Sequence, residues 1–291
     1  MSHRILRSRH AALPLLAALL ALGLAACKPQ APETAADGAA ATPGAPIKAS
    51  DADSAQAKEA EAQIAKLRDE AGPPPVEGTD YEVIADGRPF EPETGKIEVA
   101  EVFNHVCPAC AGFQPLISAW KATLPADVHF VYVPAQFGGP FDTYARAFYA
   151  AQALGAEEKA HEALYRAIHI DHSLKGESGR DAPQDIARFY QGYGVDPTQF
   201  VETMGSFAVE GKLAKAKKFA QDSGIQGTPT LIVAGKYRVT GPSNGTRADQ
   251  VRIANQLIAR ERAAMGGAAP AAGAPADPAA PAAAREEAGG N

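Results

Sequence analysis

The sequence predicts an α/β domain that carries an inserted α-helical block and is flanked by Ala/Pro-rich segments expected to be disordered. Three observations predict it. A strand–helix–strand pattern runs from Ile97 to Val133. Helical spacing without a strand then fills residues 141–206. A Lys-rich helix, a hairpin and a last helix complete the foldable part by residue 264.

Each element has its own warrant. Tyr81–Ile84 is a short strand candidate. Ile97–Phe103 (IEVAEVF) alternates and then turns apolar, as a central strand does. Residues 107–124 read as a helix with Pro108 in its first turn, where proline is tolerated, and with Pro115 expected to kink it. Val128–Val133 is β-branched and aromatic, a second strand. Phe141–Leu154, Ala156–Ile170, Ala182–Tyr190 and Asp196–Gly205 carry helical spacing between Gly, Pro and Asp signals. Phe207–Ser223 is a Lys-rich helix that Gly224 closes. Thr230–Val233 and Tyr237–Thr240 form a hairpin about Ala234-Gly235-Lys236, and Thr246–Ala264 is the last helix. No internal repeat is visible.

The ends read differently. Arg4, Arg7 and Arg9 precede an apolar run, residues 11–24, and then Leu24-Ala25-Ala26-Cys27. The run is short for a bilayer span and Pro14 interrupts it, so residues 1–26 read as a signal peptide. The order of charged start, apolar run, small residues and cysteine resembles the lipobox of bacterial lipoproteins. That resemblance implies lipid on the sulfur of Cys27, which becomes the mature N-terminus, and a periplasmic protein anchored to a membrane. Cleavage removes three arginines and no acid, taking the formal side-chain charge from −6 to −9. Residues 27–79 are then a lipid-anchored tether reaching about 40 Å if flexible. Within it Ser50–Ala71 has helical composition, and Gly72-Pro73-Pro74-Pro75 stops any helix. Residues 265–291 are a disordered tail, mostly Ala, Pro and Gly with no large apolar group to bury beyond Met265. The domain divides into a first part, 80–140, the helical insertion, 141–206, and a second part, 207–264. The acidic balance argues against a nucleic-acid binder. Three cysteines are too few for a disulfide-stapled scaffold, and one short apolar run excludes a multi-span membrane protein.

Cys107-Pro108-Ala109-Cys110 carries the chemistry. At a helix start, free N–H groups and the helix dipole stabilise a Cys107 thiolate, the nucleophile and the better leaving group in disulfide exchange. Pro108 stiffens the loop and Ala109 adds neither bulk nor charge. Cys110, one turn in, is less exposed and resolves the mixed disulfide. A zinc site would need a second cysteine pair. His105, His161, His169 and His172 are the only other plausible ligands, so no metal is expected. A purely structural bridge across so small a loop gains little entropy.

A second motif, Gly227-Thr228-Pro229-Thr230, precedes the apolar Leu231-Ile232-Val233. A CxxC after the first central strand and a Thr-Pro before a later strand resemble the thioredoxin fold. The helical block between the two halves narrows this: EVFNHVCPACAGFQP and GIQGTPTLIVAGKYRV are similar to the DsbA group of periplasmic thiol:disulfide oxidoreductases, over residues 80–264. The resemblance implies a cis peptide before Pro229, substrate hydrogen bonds from Thr228, and a substrate groove shaped by Pro108, Ala109 and Pro229. Glu101 matches the family's buried acid near the active cysteines. The familiar oxidases carry His where this chain has Ala109, which implies a milder oxidant. The resemblance implies an enzyme without a cofactor that oxidises reduced or unfolded secreted proteins, is reoxidised by a quinone-linked membrane partner of the DsbB kind, and binds no nucleic acid. Two rivals stand beside it: the same chemistry run as a periplasmic reductase or isomerase, and a non-enzymatic thioredoxin-like binding lipoprotein.

Overall fold

The computed structural model describes residues 46–47, 50–69, 72–242 and 245–266. The signal peptide, Cys27, the stretch of tether up to residue 45 and residues 267–291 of the tail lie outside them.

Five strands form one mixed sheet in the order β1-β5-β4-β2-β3. They are β1 (Tyr81–Val83), β2 (Ile97–Phe103), β3 (Val128–Pro134), β4 (Thr230–Val233) and β5 (Tyr237–Val239). β2 pairs parallel with β3, Glu101 opposite Tyr132, and antiparallel with β4. β2 is buried along its whole length, as the central position requires. The hairpin turns at Ala234 and Gly235, both at positive φ, and a Cβ on Gly235 would meet the Arg88 backbone at 2.0 Å.

The helices are α1 (Asp51–Asp69), α2 (Pro108–Lys121), α3 (Pro140–Ala153), α4 (Glu157–His169), α5 (Pro183–Gln191), α6 (Pro197–Met204), α7 (Phe207–Asp222) and α8 (Arg247–Ala264). A short 3₁₀ turn, Gly176–Ser178, has no counterpart in the sequence reading. One face of the sheet packs Ile97, Val99 and Leu231 against Phe113, Ile117 and Trp120 of α2 and Val251, Ile253, Ala254, Leu257 and Ile258 of α8. The other packs Ala100, Val102, Val133 and Ile232 against Phe148 of α3 and Val209, Leu213 and Phe219 of α7. Strand alternation sends successive β2 side chains to these two cores. The inserted helices have a third core around Tyr144, Leu164, Ile186 and Phe200. The thioredoxin-like fold with a helical insertion is therefore present. α2 runs unbroken through Pro115.

The tether segment departs from the reading as a flexible linker. Its helical composition does give α1, but that helix is docked. Ala60 and Ile64 join the core with α2 and α8, and Leu67 packs against it. Burying one such isoleucine stabilises the contact by roughly 1.5–3 kcal/mol. At the other end Arg166 of α4 binds the Asp53 carboxylate and donates to Ser50 Oγ at 3.0 Å, while Ile47 N donates to the Tyr193 hydroxyl at 3.3 Å.

Candidate active site

β2 delivers the chain into the site and Asn104 fixes the turn that follows. Its Nδ2 donates to the carbonyls of Ala135 (2.9 Å) and Phe141 (3.0 Å), and its Oδ1 accepts from Val106 N at 3.1 Å. Cys107 then stands at the N-cap of α2 with Pro108 at the first helical position. Cys107 and Cys110 are both free thiols. Cys107 is 7% exposed and Cys110 fully enclosed, so the difference read from the sequence exists but is small. Pro108 and Ala109 are exposed between them.

The second motif meets the first across the sheet. The Thr228–Pro229 peptide is cis, and the Cys107 thiol lies 3.5 Å from the Thr228 carbonyl. Cys107, Pro108, Ala109, Thr228 and Pro229 thus lie together, with Cys110 enclosed beneath them. Thr230 Oγ1 donates to Gly227 O at 2.9 Å, tying the loop ahead of β4.

The two sulfurs are electrostatically unlike. The Cys107 thiol is brought down from its ordinary 9.0 to about 5. The Cys110 thiol is the first cause, donating to the Cys107 sulfur; burial works against it, and the Cys110 and Ala109 N–H groups at the helix start add further stabilisation. Burial pushes Cys110 far up, helped by the Cys107 sulfur and the Glu101 charge. Iodoacetamide labelling of reduced Cys107 is therefore expected to follow a titration near pH 5. Because the folded value is lowered, the stability this thiolate gives the reduced protein is complete above pH 9 and lost as pH falls through 5.

Glu101 sits behind the thiols, 1% exposed, and neither carboxyl oxygen has a protein partner. Burial raises it from 4.5 to about 8, partly offset by Lys121 and reinforced by the Cys107 charge. The other acid of the same strand behaves differently: Glu98 accepts from Phe90 N and Glu91 N, both at 2.6 Å. His105 is buried and held neutral, its value pushed well down by burial, so it does not replace the charge that Ala109 lacks. His169 Nε2 lies 2.7 Å from His105 O and His172 Nδ1 lies 3.0 Å from Ile168 O. Among the described residues no group of three or more His, Cys, Asp or Glu could hold a metal, and no helix is long and apolar enough to cross a membrane. Asn104 escaped the sequence reading; its only signal was an amide where a strand ends three residues before the first cysteine.

Residues 98–251 match the family described as DSBA-like thioredoxin domain. The thiol:disulfide interchange protein DsbA of Pseudomonas aeruginosa is 40% identical over 187 residues, 64% of this chain and 86% of that protein. The protein of the same description from Pseudomonas syringae pv. tomato is 42% identical over 170 residues, 58% of this chain and 77% of that protein. Among solved structures, the oxidoreductase DsbA from Xylella fastidiosa superposes with a TM-score of 0.62 at 44% identity, covering 65% of this chain and 98% of that one. Helix α1 lies outside residues 98–251, which the family model matches.

Proposed function

The chain belongs to the DsbA-like thioredoxin-domain family and is a thiol:disulfide oxidoreductase, and from that premise we propose that it donates the Cys107–Cys110 disulfide to reduced secreted proteins in the periplasm. The observation that carries this reading is the inequality of the two sulfurs. A substrate thiolate attacks Cys107 Sγ, forming the mixed disulfide. The Cys107–Cys110 bond breaks, and Cys110 keeps the electron pair and takes a proton from Glu101. A second substrate thiolate then attacks the substrate sulfur of the mixed disulfide, and Cys107 leaves as a thiolate. The two substrate thiolates lose two electrons in becoming a disulfide; the protein gains them and ends with a Cys107 thiolate, a Cys110 thiol and an ionised Glu101 that regains its proton from solvent. A leaving thiolate that is stable at neutral pH drives this direction.

Thr228 and Pro229 fit the role of a substrate rest. The Thr228 carbonyl beside Cys107 is placed to accept a backbone N–H from an extended peptide, holding its sulfur in line with the exchanging pair. Pro108 and Ala109 offer an uncharged, exposed rim. Reoxidation by a quinone-linked membrane protein of the DsbB kind completes the cycle. The order of features around Cys27 supports a lipid-anchored form, which metabolic labelling with palmitate tests: wild type should carry label and Cys27→Ser should not. The function itself is tested by mixing the oxidised protein with a reduced, unfolded two-cysteine substrate. One substrate disulfide should appear for each protein disulfide lost. A substrate that remains reduced while the protein stays oxidised would exclude disulfide donation.

A further inference from the structure

A cleft of about 750 Å³ leads away from the active cysteine on the side of the insertion. It begins at Pro108, the residue after Cys107. Its floor is α2, chiefly through small residues: Pro108, Ala111, Gly112, Pro115, Ala119 and Ala122. A polypeptide backbone can lie close to such a surface. At the rise of an α-helix, the floor from Pro108 to Ala122 runs roughly 20 Å, the span of about six extended residues. The volume falls in the range of clefts that hold ligands.

One wall of the cleft is α4. The other is α1, through Asp53, Gln56, Ala57 and Glu61, residues beyond the stretch that the family model matches. This second wall is fixed at both ends. Ala60 and Ile64 are buried one turn apart, and the Arg166–Asp53 ion pair joins the two walls directly. Not every charge in the cleft is matched. Arg166 is paired with Asp53 and Asp171. Glu61 and Glu162, on opposite walls, are exposed and have no ion pair among the described residues, and Lys159 of α4 is the lining cation in the same state. Asp53, Glu61 and Glu162 against Lys159 and Arg166 leave the lining with one net negative charge. Arg247, at the start of α8, lies against Gly112, where a Cβ would meet its Nη1 at 2.5 Å.

We propose that this cleft is a polypeptide-binding subsite: it takes the extended stretch beside the reactive cysteine of a reduced substrate and favours a basic side chain between Glu61 and Glu162. The inference rests on the disulfide-donor reading and deepens it. A substrate sulfur in line with Cys107 places the neighbouring residues of its chain at Pro108, where the cleft begins. An unfolded chain supplies the extended backbone, and the small side chains of the floor leave room for its own. Unpaired carboxylates on both walls attract a cation and repel an anion, an effect that salt screens because both groups are exposed. A small thiol reaches Cys107 without entering the cleft, so the selection applies to polypeptides alone. Helix α1 thereby serves substrate choice, with Glu61 as its specificity-determining residue.

The test uses the full-length oxidised protein and short blocked peptides with one cysteine and otherwise uncharged side chains. A single Lys or Glu is moved through the positions up to six residues from the cysteine. The rate at which each peptide thiolate opens the Cys107–Cys110 disulfide is read by acid quench and mass spectrometry. At the best position the Lys peptide should react about threefold faster than the Glu peptide, the size an exposed ion pair supports. The double variant Glu61→Lys, Glu162→Lys should reverse that preference, and about 0.5 M salt should erase it. Comparing proteins on the same peptides cancels the effect of the added charge on the peptide's own thiol. Both positions are exposed, so the fold is not at stake. Glu202→Lys, on α6 and outside the cleft, should leave the preference in place, and dithiothreitol should reduce all the proteins at one rate. A preference that the double variant leaves unchanged, or that Glu202→Lys shifts as far, would overturn the subsite. Reduction by dithiothreitol with no reaction of any peptide would instead remove the disulfide-donor reading.

Discussion

Cys110→Ala is expected to turn the protein from a catalyst into a trap. Its Cys107 remains a nucleophile, since the helix-start N–H groups still face its sulfur, although losing the Cys110 thiol removes the largest cause of its low value. Mixed disulfides that form on Cys107 then have no internal thiol to release them. Turnover should fall by about a thousandfold or more, as for loss of one member of a catalytic unit. Covalent adducts should accumulate, visible on non-reducing gels and mapped to Cys107 by mass spectrometry. Cys107→Ser should lose turnover equally and give no adducts. Adducts on the Cys107→Ser protein, or none on Cys110→Ala, would place the nucleophile elsewhere.

The second large effect concerns stability. Glu101 is an acid whose folded value, about 8, lies above its ordinary 4.5, with burial the leading cause. Between those two pH values the unfolded chain has released a proton that the folded chain still holds. Stability therefore falls as pH rises from about 4.5 to 8 and levels off beyond. Each unit of difference is worth about 1.4 kcal/mol, so the buried acid costs on the order of 3–5 kcal/mol at pH 8. Glu101→Gln keeps the shape and removes the charge, though its amide still wants partners. In urea unfolding of the reduced proteins, the variant should be about 3 kcal/mol more stable than wild type at pH 8 and equal to it near pH 4.5. An unchanged difference across that range would mean that Glu101 does not titrate there. A protein that keeps so costly a group has reason to keep it, and the proton transfer to Cys110 proposed above would supply one.

Much of the architecture could be read from local pattern. Ile97–Phe103 alternates in a way that only a central strand between two cores explains, and the hairpin turn needed no tertiary information. The docking of α1 could not be read this way. Its apolar side chains are few, mainly Ala60, Ile64 and Leu67, and what makes them sufficient is the complementary surface of α2 and α8, far along the chain. The Arg166–Asp53 pair that fixes its other end spans more than a hundred residues. In the site, the spacing of the cysteines and the Thr-Pro before β4 mark both motifs. Their juxtaposition across the sheet depends on the β2–β4 register. Glu98 and Glu101 look alike in IEVAEVF; alternation places them on different sides, and only the three-dimensional arrangement separates a satisfied carboxylate from an unpartnered one. In the sequence His105, His161, His169 and His172 stood out only as possible metal ligands, with no metal expected. In the fold His105 and His161 lie ring to ring inside the protein, a proximity that no periodicity encodes.

The central claim is that Cys107 is stabilised as a thiolate strongly enough to make the pair an oxidant. The most direct measurement is the equilibrium of the Cys107–Cys110 pair with a glutathione buffer, read by mass spectrometry after acid quench. Stabilising the reduced form raises the potential, because the dithiol state gains what the disulfide lacks. The predicted result is a potential less negative than about −200 mV, on the oxidising side of secretory compartments. A potential near about −270 mV, where dedicated reductants lie, would contradict the assignment as a disulfide donor.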